Sequence, residues 1–180
     1  MEEAMSMSGI GELPLVIHNA MRPGPGTGLP TRTEQGDLNL AMYAGHGDFP
    51  RVLLAPTTLE SGVELGQKAF NIADKYQVPV IILSDANYLS QSMNLGKVNL
   101  EENEYHIVES AKDYKRYQYT ESGISPRSVP GYGEGLVKVD SDEHTEEGLI
   151  TEDFDGRIKM TDKRMKKLDK YIDIEPELIG

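Results

Sequence analysis

The stretch that most restricts this chain is Val78-Pro79-Val80-Ile81-Ile82-Leu83, a nearly continuous apolar run rich in β-branched residues. A strand buried on both faces requires such a run. Two shorter apolar runs precede it, Leu13 to Ile17 and Arg51 to Ala55. Between the second and third, Leu65, Ala69, Ile72, Ala73 and Tyr76 recur at i, i+4, i+7, i+8 and i+11 and share one face of a helix. Thr57, with Glu60 three residues on, predicts a capping box at the start of that helix. Strand, capped helix and strand within about 30 residues form a βαβ unit with a parallel pair. The fold class is α/β.

The flanks have a different character. Met1 to Gly11 reads as the end of an amphipathic helix leading into the Leu13 strand, with no N-cap of its own. A helix that opens at its middle leads us to expect that the domain began earlier. Residues 91–150 carry few sustained patterns and are punctuated by Gly123, Pro126, Pro130, Gly131, Gly133 and Gly135. So long a stretch reads as an extended arm packed on a partner or another domain. Thr151-Glu152-Asp153 then opens a helix whose later part carries Lys163, Arg164, Lys166, Lys167 and Lys170, a distribution that complements the helix dipole. Its apolar residues Phe154, Ile158, Met165, Leu168 and Ile172 stay near one face. The expected organisation is an α/β domain over 1–90, an irregular arm over 91–150, and a helix with linker over 151–180.

Charge and cysteine content remove whole classes of function. Thirty acidic against 18 basic residues give a net charge of −12, which argues against a nucleic-acid partner. There is no cysteine, so these residues supply no disulfide, thiolate nucleophile, zinc–thiolate site or cysteine-ligated iron–sulfur cluster. No apolar run approaches the roughly 18 residues of a membrane span. The acidic start, Met-Glu-Glu-Ala, is unlike a basic signal peptide, and the cytoplasm is the expected location.

The chemistry concentrates in Arg22-Pro23-Gly24-Pro25-Gly26-Thr27-Gly28-Leu29-Pro30-Thr31, directly after the first strand, with three glycines and three prolines in ten residues. Open α/β sheets place ligands at the carboxyl ends of their strands. Arg22 can pair a carboxylate or phosphate bidentately, and the hydroxyls of Thr27 and Thr31 can add neutral hydrogen bonds. The stretch lacks the lysine of a phosphate-binding P-loop, and Leu29 stands where a dinucleotide loop has its third glycine. By composition alone, a structural turn and an anion-binding loop fit equally well.

The strings Glu12-Leu13-Pro14-Leu15-Val16-Ile17 and Arg22 through Leu38 closely resemble the alpha subunits of 2-oxoacid (2-oxoglutarate):ferredoxin oxidoreductases. His46-Gly47-Asp48, Ala55-Pro56, Gln77 to Asp85, Gly123 to Arg127 and Val139 to His144 follow in the same order and similar spacing, so the resemblance spans essentially the whole chain. It implies a thiamine-diphosphate enzyme that oxidatively decarboxylates a 2-oxoacid, passing the acyl group to coenzyme A and electrons to ferredoxin. The fold it implies is a partial pyrimidine-type domain with a parallel sheet, followed by the arm and the C-terminal helix. A beta subunit is expected to hold the diphosphate, Mg2+ and a 4Fe-4S cluster. Residue by residue, Arg22 matches the arginine that grips the substrate carboxylate and Thr31 a threonine of the same pocket. Thr27 is a neighbouring candidate, and Gly24 and His46 are candidates for lining the pocket. Gly26 departs from the family's more frequent serine. The family's Tyr-Pro-Ile-Thr-Pro-type segment and the glutamate that activates the aminopyrimidine lie upstream, so no catalytic residue is assigned here. Met1 aligns with an internal methionine, and Ile174 to Gly180 reaches only the start of a following swivelling module. The chain reads as a fragment truncated at both ends. A truncated, catalytically inert protein with at most an assembly role is the alternative. The motif details lean toward 2-oxoglutarate, although pyruvate and branched-chain oxoacid enzymes share the loop.

Other clusters have plainer readings. Asp140, Asp142, Glu143, His144, Glu146 and Glu147 read as a solvated loop in preference to a metal site, and the histidines show no zinc spacing. Tyr114, Tyr117 and Tyr119 read as packing residues of the arm. Ser84-Asp85, at the end of the third strand, has two readings, facing the site or capping the following turn, and the turn is the favoured one.

Overall fold

The computed structural model describes residues 2–98, 100 and 102–171. The expectations on Met1, Ile172 and Ile174 to Gly180 lie outside them. Its central element is the strand β3 (Pro79–Asp85), buried along nearly its whole length, where the β-branched run predicts it. Strands β1 (Leu15–Met21) and β2 (Val52–Leu54) flank it, both parallel, giving the order β1-β3-β2. Alternation along β3 divides the core. Ile81 and Leu83 face a cluster with Met5, Met21, Ala41, Ala44 and Phe49. Val80 and Ile82 face Val52, Leu54, Ala69, Ile72 and Ala73. Each fully buried aliphatic side chain of this kind stabilises the fold by roughly 1.5–3 kcal/mol.

Helix α1 (Glu2–Ile10) covers the first face, and α2 (Leu38–Tyr43) follows the proline-glycine loop. Helix α3 (Leu59–Tyr76) covers the second face with the predicted stripe. Its cap lies one residue later than Thr57-Glu60 predicts. Thr58 accepts from the Ser61 amide, and the Ser61 hydroxyl accepts from the Thr58 amide, while Glu60 sits in the first turn. Serine at the third position closes this box in place of the glutamate or glutamine of the usual pattern. A short helix α4 (Ala86–Leu89) follows β3, and α5 (Phe154–Met165) runs into a 3-10 turn at Lys166–Leu168.

Helix α5 packs by a different face from the one its apolar residues predict. Phe154, Ile158 and Met165 are exposed and, of the predicted stripe's described residues, only Leu168 packs, half-buried, on the core, while Met160, Lys163, Arg164 and Lys167 are buried. The reason is electrostatic. Lys163 and Lys167 reach the buried carboxylate of Glu12, in the turn between α1 and β1, at 2.5 and 2.8 Å. Arg164 pairs bidentately with Glu143 at 2.8 Å. These cations therefore anchor the helix instead of serving as a solvated complement to its dipole. The acidic stretch is correspondingly structural: Glu143 pairs with Arg164, and His144 is fully buried, its ring 3.7 Å from that of Tyr117.

The irregular segment packs on the chain's own sheet and helices. Arg116, 2% exposed, donates to the carbonyl of Glu12 at 2.6 Å. Gln77 donates to Ser125 O at 2.6 Å, and Arg127 pairs with Asp74 on α3. Gly123 lies against α5 with φ of +78°, and a Cβ there would come within 2.2 Å of Lys163 O. Gly123→Ala is therefore expected to lower stability by about 2–4 kcal/mol, combining left-handed backbone strain with an overpacked contact. Urea unfolding monitored by circular dichroism checks this.

Candidate functional site

All three strands end at one edge, with Met21 of β1 beside Asp85 of β3 and Leu54 of β2 beside Ile82. A cavity of about 420 Å³ opens there, lined by Met21, Gln35, Ala55, Leu83, Asp85 and Tyr88 among others. Carboxyl ends of parallel strands are the usual ligand position in open α/β sheets. A smaller recess of about 260 Å³ lies near the amino end of β1, beside Phe70 and Tyr105 of the outer surface. By that rule it is the weaker candidate.

The proline-glycine loop leaves β1 at this edge. Arg22, immediately after buried Met21, is exposed, and among the described residues no carboxylate pairs with it. The loop closes on itself through the Gly28 amide and Pro25 O at 3.0 Å. Gly28 has φ of +53°, and a Cβ there would lie 1.9 Å from Pro23 O, so this close approach needs glycine. Thr31 has φ of +59°, an outlier for a β-branched residue. Such strain persists where the surroundings impose it, and it clusters at ligand sites. Gly24, Thr27 and Thr31 are exposed, like Arg22. These four residues thus lie along one exposed loop that leaves the strand-end edge, and none of them lines the cavity itself.

His46 stands apart. Its amide donates to Ser6 Oγ at 2.7 Å and its ring lies 3.9 Å from the Glu3 carboxylate, both on α1. The cavity lining does not include it.

The residues that tie the loop down carry no signal of that role in the sequence. Gln35 donates to Asp85 Oδ2 at 2.8 Å, and the Tyr88 amide donates to Asp85 Oδ1 at 2.8 Å. Asp85 therefore caps α4, as expected of the turn, and also grips the loop's far end. The Tyr88 amide, and after it the Gln35 amide group, hold the Asp85 carboxyl below its ordinary range. Asn19 of β1 donates to Asp37 at 3.2 Å, and His18 meets Ser84 at 2.6 Å. A polar pair closing a strand and a glutamine in a loop are visible in sequence, but their pairing is not. Among the described residues, no group of three or more His, Asp or Glu side chains is placed to hold a metal ion, and no helix is long and apolar enough to cross a membrane.

Comparison with known proteins places this geometry. Residues 1–163 match the family described as pyruvate flavodoxin/ferredoxin oxidoreductase, thiamine diP-bdg. The chain is 43% identical over 177 residues to the 2-oxoacid:ferredoxin oxidoreductase 1 subunit alpha of Sulfurisphaera tokodaii, covering 94% of this chain and 28% of that one. It is 35% identical over 173 residues to the 2-oxoglutarate synthase subunit KorA of Archaeoglobus fulgidus, covering 95% and 44%. Among solved structures, the 2-oxoglutarate:ferredoxin oxidoreductase from Magnetococcus marinus, with 2-oxoglutarate, coenzyme A and succinyl-CoA bound, superposes with a TM-score of 0.88 at 34% identity. That match covers 100% of this chain and 33% of the other. The chain thus spans about a quarter to a half of the length of these relatives. With a parallel α/β sheet, a loop at its carboxyl edge and a match over residues 1–163, the chain belongs to the thiamine-diphosphate-binding family of the pyruvate flavodoxin/ferredoxin oxidoreductases.

Proposed function

We propose that this chain serves as part of the alpha subunit of an enzyme that oxidatively decarboxylates a 2-oxoacid, with 2-oxoglutarate as the substrate. The oxoacid and coenzyme A give an acyl-CoA, CO2 and a proton, and two electrons pass to ferredoxin. The observation that carries this reading is the loop from Arg22 to Thr31, which leaves the edge where the strands end with an exposed guanidinium at its start and a threonine in left-handed backbone at its end. The names of the relatives supply the substrate class.

In this reading Arg22 grips the substrate carboxylate bidentately, and the hydroxyls of Thr31 and Thr27 donate hydrogen bonds to the substrate beside it. Gly24 lines the pocket in the assembled enzyme, while His46, held against α1 through Ser6, stays outside the strand-end cavity. Holding the oxoacid in one orientation converts an encounter into a positioned reaction, which can supply several kcal/mol of the barrier reduction. The strand-end cavity is lined by apolar Met21, Leu38 and Leu83 and by aromatic Tyr88, surroundings that suit a heteroaromatic ring. Those residues would hold the aminopyrimidine side of thiamine diphosphate. When bound, that cofactor supplies the nucleophilic carbon for the keto group. A beta subunit would carry the diphosphate site, Mg2+ and the 4Fe-4S cluster, since no cysteine in these residues can ligate one. The cytoplasm as location, and the division into 1–90, 91–150 and 151–180, belong to the same proposal.

The test is an assay of the complete enzyme, purified anaerobically. Coenzyme A-dependent reduction of ferredoxin is expected with 2-oxoglutarate and to be much weaker with pyruvate. Failure of every 2-oxoacid to support reduction would overturn the reading.

A further inference from the structure

Asp85 uses both carboxylate oxygens, and the second oxygen has nothing to do with the helix it caps. It is 8% exposed and closes the central strand. Oδ1 accepts from the Tyr88 amide, and Oδ2 accepts from Gln35 Nε2, each at 2.8 Å. Gln35 stands four residues beyond Thr31. Beside it, Thr33 Oγ1 accepts from the Asn87 amide at 3.4 Å. The loop is thus fixed at its near end by β1, through buried Met21, and at its far end by the end of β3 and the start of α4. A segment with three glycines between those anchors has many conformations open to it, so the far anchor decides where Thr31 sits. An asparagine would cap α4 as well as aspartate does. The cap alone therefore does not account for a carboxylate at this position.

We infer that Asp85, acting through Gln35, is a positioning residue that sets the oxoacid-binding loop, and Thr31 above all. The inference rests on the reading that this loop binds the oxoacid. It assigns Asp85 no contact with the substrate. Its role is to hold the segment that makes the contact.

The experiment reverses the donor. Gln35→Glu sets two carboxylates against each other and removes the tie. Combining Gln35→Glu with Asp85→Asn exchanges the two chemistries. The introduced asparagine keeps the cap through its amide oxygen and offers its N–H to the introduced glutamate. In the complete enzyme, Gln35→Glu is expected to raise the KM for 2-oxoglutarate roughly tenfold, the scale of one lost hydrogen bond to a charged group, with kcat little changed. The double variant is expected to restore KM. In the 180-residue protein, tryptic cleavage after Arg32 is expected to quicken in Gln35→Glu and to slow again in the double variant. Unchanged cleavage in Gln35→Glu would overturn the clamp. Loss of kcat without rescue by the double variant would mean a structural role and would also overturn it. A KM unmoved by Gln35→Glu, but raised by Arg22→Ala, would overturn this inference alone. A KM unmoved by both would overturn the reading of the loop itself.

Discussion

Replacing Glu12 with glutamine is expected to destabilise the protein by roughly 3–5 kcal/mol, the range for removing one partner from a buried ion pair. For a chain of this size that lowers Tm by about 6–20 °C. Glu12 is fully buried, and its carboxylate bridges Lys163 at 2.5 Å and Lys167 at 2.8 Å. Its carbonyl accepts from Arg116. The three cations are 2–4% exposed, so Glu12→Gln leaves three buried positive charges with no anion among them. Lys167→Met is expected to be milder. Glu12 then keeps Lys163 at 2.5 Å as a partner, and the losses are the Lys167 contacts to Glu12 at 2.8 Å and to Gln77 O at 2.9 Å, with no buried cation left without its anion. Equal losses in the two variants, measured by urea unfolding, would contradict the charge argument.

The same cluster fixes the response to pH. Burial pushes the Glu12 carboxyl up, but Lys167 and Lys163 beside it more than offset this and bring it down from 4.5 to about 2. Between those values the unfolded chain holds a proton that the folded protein does not. Stability from Glu12 is therefore present above about pH 4.5 and lost as pH falls toward 2. Burial pulls Lys167 down to about 8 from 10.5, only partly opposed by Glu12. The folded state sheds that proton first, so stability rises with pH between 8 and 10.5. Glu12→Gln should flatten the acid limb, which a Tm series from about pH 5 to 2 reads directly.

Much of the sheet is legible in the sequence because β3 and α3 each follow a single periodicity with nothing competing. The run from Val78 to Leu83 and the stripe from Leu65 to Tyr76 are buried where their patterns place them, apart from a cap displaced by one residue. Helix α5 is not legible, because its packing face is charged. A hydrophobicity pattern points Phe154 and Ile158 inward, yet the partner of Lys163 and Lys167 lies 151 residues before Lys163, in the turn at Glu12. No local rule carries information across that separation. The site divides in the same way. The loop declares itself through its glycine and proline density and its resemblance to a family. The bond from Gln35 to Asp85 joins residues 50 apart and becomes visible only when β3 brings them together.

Arg22→Ala in the complete enzyme is expected to lower kcat/KM for 2-oxoglutarate by about 10- to 100-fold, the span of one lost charge-assisted hydrogen-bond pair. The loss should fall mainly on KM, because a group that holds the carboxylate equally in ground and transition states changes binding more than chemistry. Arg22 is exposed at the carboxyl end of β1, and among the described residues no acid neutralises it, so its truncation strands no buried partner. Stability should therefore stay within about 0.5 kcal/mol of the parent protein, as for surface substitutions generally. Arg22→Lys separates two roles of the side chain. A lysine keeps the charge but loses the planar fork, so an intermediate KM would mean that both charge and bidentate geometry matter. If Arg22→Lys matches Arg22→Ala, the fork carries the recognition, and if it matches the parent enzyme, charge alone suffices. An unchanged KM in Arg22→Ala would remove the arginine from the substrate site, and the proposed function would then have to rest on another part of the strand-end edge.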